Sequence, residues 1–282
     1  VFDHVHTSFP CNDFLLSIAS WLVARKRCVV CVRVKNDDVL FLKDEAVVLL
    51  VHSTICATKY SRQRTECFLS LSVYIRRGES MLERLAKLPT TALSDATGGY
   101  TNVAATIKPL ASHFKVAGRV LTVRLPDGEN GAVLEAISKA ERGDVLVIDA
   151  KGNTNRAVAG DFVMQLAQGV GVQGFVVDGV IRDSLAAIDI GFPVFSKGTT
   201  VAAGVKNGTG KVGVPVAVGG VPVQTGDYVV GDADGVIIIP QADIEAVIEK
   251  AEKKVVSDEA REQEALHDGE TSIRAYLQKV VK

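Results

Sequence analysis

Glycine is absent from residues 1 to 77, and all 25 glycines of the 282-residue chain follow that point. At an ordinary usage of ~7%, about five would be expected in so long a stretch. The same stretch holds all five cysteines (Cys11, Cys28, Cys31, Cys56 and Cys67), the only tryptophan, Trp21, and a single proline, Pro10. The first methionine is Met81, and from there the sequence is well patterned. The break, with the patterning that follows it, predicts three parts: an anomalous segment over 1–77, a patterned domain over 78–240 and a helical arm over 241–282. The first part is either a genuine extension or sequence upstream of the true start codon. Intact-mass measurement or N-terminal sequencing that found peptides from it would exclude the second option.

Within that segment, Phe14 to Ala24 is an apolar run of about 11 residues followed by Arg25-Lys26-Arg27. A membrane span needs ~20 residues. A secretory leader would carry its basic residues ahead of the apolar run. Neither insertion nor secretion is expected, and the chain reads as cytoplasmic. Cys28, Cys31, His52 and Cys56 have a zinc-like spacing. Cys28-Val-Val-Cys31, however, sits in a strand-like run without the turn residues that wrap a metal, so small buried cysteines are the simpler reading. An odd cysteine count rules out complete intrachain pairing.

A formal charge of −1 and 47% hydrophobic residues fit a soluble globular protein with an ample core. Neither feature offers an electrostatic footprint for nucleic acid or an anionic membrane. Small neutral or anionic ligands fit better.

Beyond residue 78 strands and helices alternate, which predicts a mixed α/β domain. Helices are expected over Glu79–Leu88, after Thr90 or Thr91 as a cap, over Asn130–Ala140, and over Asp243–Val256 with a charge-dense continuation to His267. Strands are expected over Lys115–Leu125, over Asp144–Asp149 closed by Lys151-Gly152-Asn153, and at several short runs between Pro193 and Ile239. Asp95 reads as a surface residue of its short helix.

The chemistry concentrates between Ala159 and Asp183. Gly160-Asp161 stands where a helix should begin, and free N–H groups there make a ready site for a carboxylate or phosphate. Asp161 is equally a simple N-cap. Gly174-Phe-Val-Val-Asp-Gly-Val180 reads as a buried strand ending in Ile181-Arg182-Asp183. Its cation and carboxylate make a plausible anion and metal site, with a solvated turn as the alternative. Three cofactor-like motifs fail on context. Gly169-Val-Gly171-Val-Gln-Gly174 has helix, glycines and strand in the wrong order for a dinucleotide site. Gly208-Thr-Gly-Lys211 lacks the P-loop spacer. Asp232-Ala-Asp-Gly235 lacks the later ligands of a calcium loop and reads as a turn.

Pro89-Thr-Thr-Ala-Leu-Ser-Asp-Ala, Gly118-Arg-Val, Gly143-Asp-Val-Leu-Val-Ile-Asp, Gly160-Asp161, Val177-Asp-Gly-Val-Ile-Arg-Asp183, Pro215-Val-Ala-Val-Gly-Gly and Asp232-Ala-Asp-Gly-Val resemble the RraA-like family. That family holds 4-hydroxy-4-methyl-2-oxoglutarate aldolases, oxaloacetate decarboxylases and regulators of ribonuclease E. The resemblance covers about residues 80 to 240. It implies an α/β fold of the layered β/β/α swivelling type, a homotrimer or hexamer, and an active site at the subunit boundary. It further implies that Gly160, Asp161, Phe162 and Val163 bind the pyruvate-like part of a 2-oxo acid. Arg182 would bind substrate and serve catalysis, and Asp183 would hold a divalent metal, Mg²⁺ or Mn²⁺. Asp161 is the candidate for positioning a proton-carrying water. Glu262 and Glu264 of a neighbouring subunit's arm are candidates for the missing acid, undivided by helix phase. The alternative function is a non-catalytic regulator of ribonuclease E-type RNA degradation.

Overall fold

The structure, a computed structural model, describes residues 79–281 throughout and, ahead of them, the backbone of five strands. The chain divides into two compact units, Val1–Ser80 and Met81–Lys282. In the first, β1 (His4–Pro10), β5 (Phe68–Arg77) and β4 (Val47–Ile55) pair antiparallel in that order, and β2 (Val32–Val34) pairs with β3 (Asp38–Leu40). The run Phe14–Ala24 and the Cys28, Cys31, His52 and Cys56 side chains lie outside the described residues. Among the described residues no helix is long and apolar enough to cross a membrane.

The second unit is built on a mixed sheet. Its centre is β7 (Val116–Arg124), β8 (Asp144–Ala157), β9 (Gly174–Val180) and β10 (Val194–Ser196), each parallel to its neighbour. Antiparallel strands extend it: β6 (Lys108–Pro109) beside β10, β11 (Lys211–Val212) and β14 (Tyr228–Gly231) beside β7, and β15 (Val236–Ile239) beside β14. Parallel neighbours need crossovers. These are α3 (Gly131–Lys139), α4 (Asp161–Val170) and α5 (Ser184–Asp189), which follow α1 (Met81–Lys87) and α2 (Thr90–Thr97) in the chain.

Alternation along the central strands explains the layering. Leu146, Ile148, Phe175 and Val177 face the helices, packing with Ala136, Met164 and Ala167. Val145, Val147 and Val176 face the other way, onto the hairpin of β12 (Val216–Val218) and β13 (Val221–Val223). A sheet covered on both faces requires the near-continuous apolar run seen in Asp144-Val-Leu-Val-Ile-Asp149. Burying one such large side chain contributes about 1.5–3 kcal/mol. A third cluster joins Leu85 of α1 and Leu93 of α2 to Ile237, Ile239, Ile244 and Ile248. The fold is therefore a layered α/β domain with helices at its C-terminus.

Three elements differ from the sequence expectation. Neither Thr90 nor Thr91 caps α2; Pro89 occupies the cap position, while Thr90 donates its hydroxyl and its amide to Asp232 at 2.6 and 2.9 Å. Strand β8 does not close at Lys151-Gly152-Asn153 but runs on to Ala157 through two register shifts. Positive φ at Lys151 (56°) and Gly152 (70°) turns the expected loop into a bend within the strand. The expected helical run between Asp243 and His267 is one helix, α6 (Ile244–Leu266), followed by a further helix, α7 (Gly269–Val280). Helix α5 was not foreseen because its single turn and a half carries little periodic signal.

Candidate active site

Strands β8 and β9 end side by side, and their C-terminal continuations stay in register. Val158 donates its amide to Val180 O at 3.0 Å, and Arg182 donates its own to Ala159 O at 3.0 Å. Backbone pairing alone thus brings Gly160-Asp161 against Arg182-Asp183. In open α/β sheets the carboxyl ends of parallel strands are where ligands bind.

Close approach dictates the glycine. Gly160 is extended (φ −132°, ψ −172°), so its backbone needs no special freedom. Space is the constraint: an added β-carbon would overlap Asp183 Oδ2 and lie 2.9 Å from Arg182 Nε. Asp183 itself is the N-cap of α5 in the left-handed region, at φ 56° and ψ 43°. For a residue other than glycine that conformation costs of order 1–3 kcal/mol, although Asp tolerates it better than most. It turns the carboxylate back toward α4. Asp183 Oδ2 there accepts the Asp161 amide at 3.3 Å and pairs with Arg182 Nε at 3.1 Å.

The start of α4 is consequently less open than its sequence suggested. The Asp161 amide is taken by Asp183, and the Phe162 amide donates to Asp161 Oδ1 at 2.7 Å. The amides of Gly160 and Val163 make no hydrogen bond among the described residues, and neither do the terminal nitrogens of Arg182, whose side chain is 43% exposed. These are the donors left for an anion. Phe162 lies on the outward side of α4. Met164 and Ala167 are the buried residues of α4, whereas Phe162 is 67% exposed and Leu166 and Val170 share its outward side. Leu185, just past Asp183, is 76% exposed.

The donor set suits a hydrated cation. Asp183 Oδ1 has no hydrogen-bond partner among the described residues, and no group of three or more potential metal-ligating side chains occurs among them. A single open carboxylate oxygen could hold only a cation that keeps several of its waters, as Mg²⁺ does. Of the two arm candidates, Glu264 pairs with Lys279 at 2.9 Å, and the Lys279 hydrogen bond holds its carboxyl below the usual range. Glu262 is exposed and makes no ion pair among the described residues.

Sequence reasoning missed two buried carboxylates. Asp178, in the middle of β9, is 9% exposed and pairs with Lys197 Nζ at 2.5 Å, while its Oδ2 accepts the Gly219 amide at 2.8 Å. An acidic residue inside an all-apolar strand is rarely buried without a partner, and that was the available signal. Glu129, 2% exposed, accepts the Thr209 hydroxyl and, at 2.9 Å, the Thr209 amide. The Thr209 hydroxyl leads the bonds that lower its pKa. Asp95, read as a surface residue, lines a hollow of about 790 Å³ with Ser94, Gly98, Gly99, Lys250 and Lys254, and pairs with Lys254 at 3.4 Å.

Residues 90–238 match the family model described as "RraA-like: Aldolase/RraA". A protein of Halalkalibacterium halodurans, provisionally named a 4-hydroxy-4-methyl-2-oxoglutarate aldolase, is 52% identical over 194 residues, which is 69% of this chain and 92% of that protein. Among solved structures, an uncharacterized protein from Pseudomonas syringae pv. tomato superposes with TM-score 0.61 at 28% identity, covering 71% of this chain and 98% of that one. The RNA-processing inhibitor RraA from Thermus thermophilus superposes with TM-score 0.52 at 29% identity, covering 55% and 94%.

Proposed function

Because this chain belongs to the RraA-like family, we propose that it is a divalent-metal-dependent lyase that cleaves 4-hydroxy-4-methyl-2-oxoglutarate-type 2-oxo acids to pyruvate and also decarboxylates oxaloacetate. The observation that carries the reading is the convergence of Gly160-Asp161 with Arg182-Asp183 at adjacent strand ends, with donors and one carboxylate oxygen left open.

Both reactions break a carbon–carbon bond β to the 2-oxo group and leave its electron pair as a pyruvate enolate. In the aldol case the 4-hydroxyl loses its proton and the departing fragment becomes a second carbonyl compound; in the other, carbon dioxide leaves. Protonation at C3 of the enolate then gives pyruvate. A cation held through Asp183 would supply Lewis acidity toward the 2-oxo acid. Arg182 directs its terminal guanidinium nitrogens at the enolate oxygen, a preorganised charge of the kind typically worth roughly 3–4 kcal/mol of barrier. The Gly160 and Val163 amides, at the positive end of α4, hold the substrate carboxylate. Asp161 keeps Oδ1 on the Phe162 amide and orients a water that carries the proton.

The proposed assembly is a homotrimer or hexamer with this site at the subunit boundary, supported by the outward Phe162 and Leu185. A second reading, a non-catalytic regulator of RNA degradation, is favoured by the shared fold with the RNA-processing inhibitor. One assay separates the two: pyruvate release from oxaloacetate and from 4-hydroxy-4-methyl-2-oxoglutarate, with Mg²⁺ and then with EDTA. Turnover that EDTA abolishes and that Asp183→Ala lacks supports the lyase. No metal-dependent turnover, or full activity in Asp183→Ala, sinks it.

A further inference from the structure

We infer that the Asp178–Lys197 ion pair is a positioning device for Arg182, an inference that rests on reading Arg182-Asp183 as the reacting site. Lys197 directly follows β10 and begins a segment that runs beside the end of β9. Its amide donates to Gly179 O at 2.8 Å. Gly198 O then accepts the Ile181 amide at 3.2 Å, and the Thr200 amide donates to Ile181 O at 2.9 Å. Both backbone groups of Ile181, the residue immediately before Arg182, are therefore held by residues 198 and 200. On the other side, Arg182 is held by Ala159 O. Arg182 is clamped between two strands: the Asp183 carboxylate on the Asp161 amide ties the clamp toward Ala159, and the clamp toward residues 198 and 200 has side-chain anchors of its own.

Beside the Ser196 hydroxyl, which donates to Gly198 O at 3.1 Å and accepts the Gly198 amide at 3.3 Å, the charged anchor of this segment is the Lys197 ammonium on Asp178. Asp178 is fixed in turn by the Gly219 amide from the β12–β13 turn. The ammonium also crowds the bend of β8, where a β-carbon on Gly152 would lie 2.9 Å from Nζ. A charged pair taken largely out of water specifies one arrangement of the groups around it, because any other leaves an unpaired charge. Here the arrangement specified is the register of residues 197–200 against β9, and through Ile181 the position of the Arg182 backbone. Displacement of a catalytic group by about 1 Å costs on the order of a hundredfold in rate. The pair touches no proposed substrate atom and acts through Arg182.

The test uses Lys197→Met, Lys197→Arg and the double variant Asp178→Asn/Lys197→Met, which leaves no buried charge unpaired and so guards against simple unfolding. Residue-level amide exchange is read in the full chain. The expected result is at least tenfold faster exchange at Ile181 and Thr200 in Lys197→Met and in the double variant. Rates along β7 and β8 stay unchanged, and Lys197→Arg restores the original pattern. In the pyruvate assay, kcat falls by roughly ten- to a hundredfold with a smaller change in KM. Unchanged exchange at Ile181 and Thr200, or equal acceleration in every strand, overturns the positioning role. Should the unmodified protein release no pyruvate, the lyase reading fails while the exchange result still decides this one.

Discussion

The carboxylate of Asp183 fills the space that a side chain on Gly160 would need. Replacing Gly160 by Ala pushes Asp183 Oδ2 and Arg182 Nε away from the start of α4 without touching the hydrophobic core. Pyruvate formation is expected to fall by about a hundredfold, the penalty for moving reacting groups by about 1 Å. Steady-state kinetics beside a circular-dichroism melt checks this. A variant with undiminished kcat would show that the close approach has no part in the reaction.

Asp183 accepts the first amide of α4, and its proposed role toward a metal is separable from that. Asp183→Asn keeps an oxygen for the Asp161 amide and tolerates the left-handed backbone. Its stability should stay within about 0.5 kcal/mol of the original, while Mn²⁺ affinity by calorimetry drops at least tenfold. Asp183→Ala loses the cap as well, for about 1 kcal/mol. Equal Mn²⁺ binding in all three proteins would remove Asp183 from the metal site.

Thr90 and Asp232 supply a pH-dependent clasp between α2 and the β14–β15 turn. Burial opposes the charge on Asp232, but the Thr90 hydroxyl and amide, with the Asp234 and Gly235 amides, outweigh it and hold the pKa below the ordinary 3.8. A depressed carboxyl stabilises the fold above its unfolded-state pKa and loses that contribution as pH falls through its folded value. Thr90→Val is expected to cost about 1.5–3 kcal/mol at pH 7, as for a hydrogen bond to a charged group. The deficit should shrink once the pH drops below 3.8. Urea unfolding at the two pH values measures it.

Phe162 and Leu185 flank the site and point outward. Introducing Glu at both positions should convert the proposed oligomer to a monomer by light scattering and reduce turnover with it. Retention of the original mass would place the subunit contact elsewhere.

Much of the domain was legible because both faces of its central strands are covered. Runs such as Asp144 to Asp149 announce themselves when no polar alternation interrupts them. The bend at Lys151-Gly152 was hidden, since the same residues that end a strand also let one turn within the sheet. The convergence of Gly160-Asp161 and Arg182-Asp183 followed from strand–helix–strand order. What sequence did not reveal was the occupation of α4's first amides, because the acceptor for Asp161 lies 22 residues away and depends on the left-handed backbone of Asp183. Lys197 was equally hidden: only its partner's burial in β9 distinguishes it from any lysine after a short strand.

Backbone atoms alone join residues 158–159 to residues 180–182. The identities of Leu166 and Val170, on the outward side of α4, have no bearing on that join. The join of the two strand ends therefore does not depend on what covers this helix, and a new surface at Leu166 and Val170 would leave it in place.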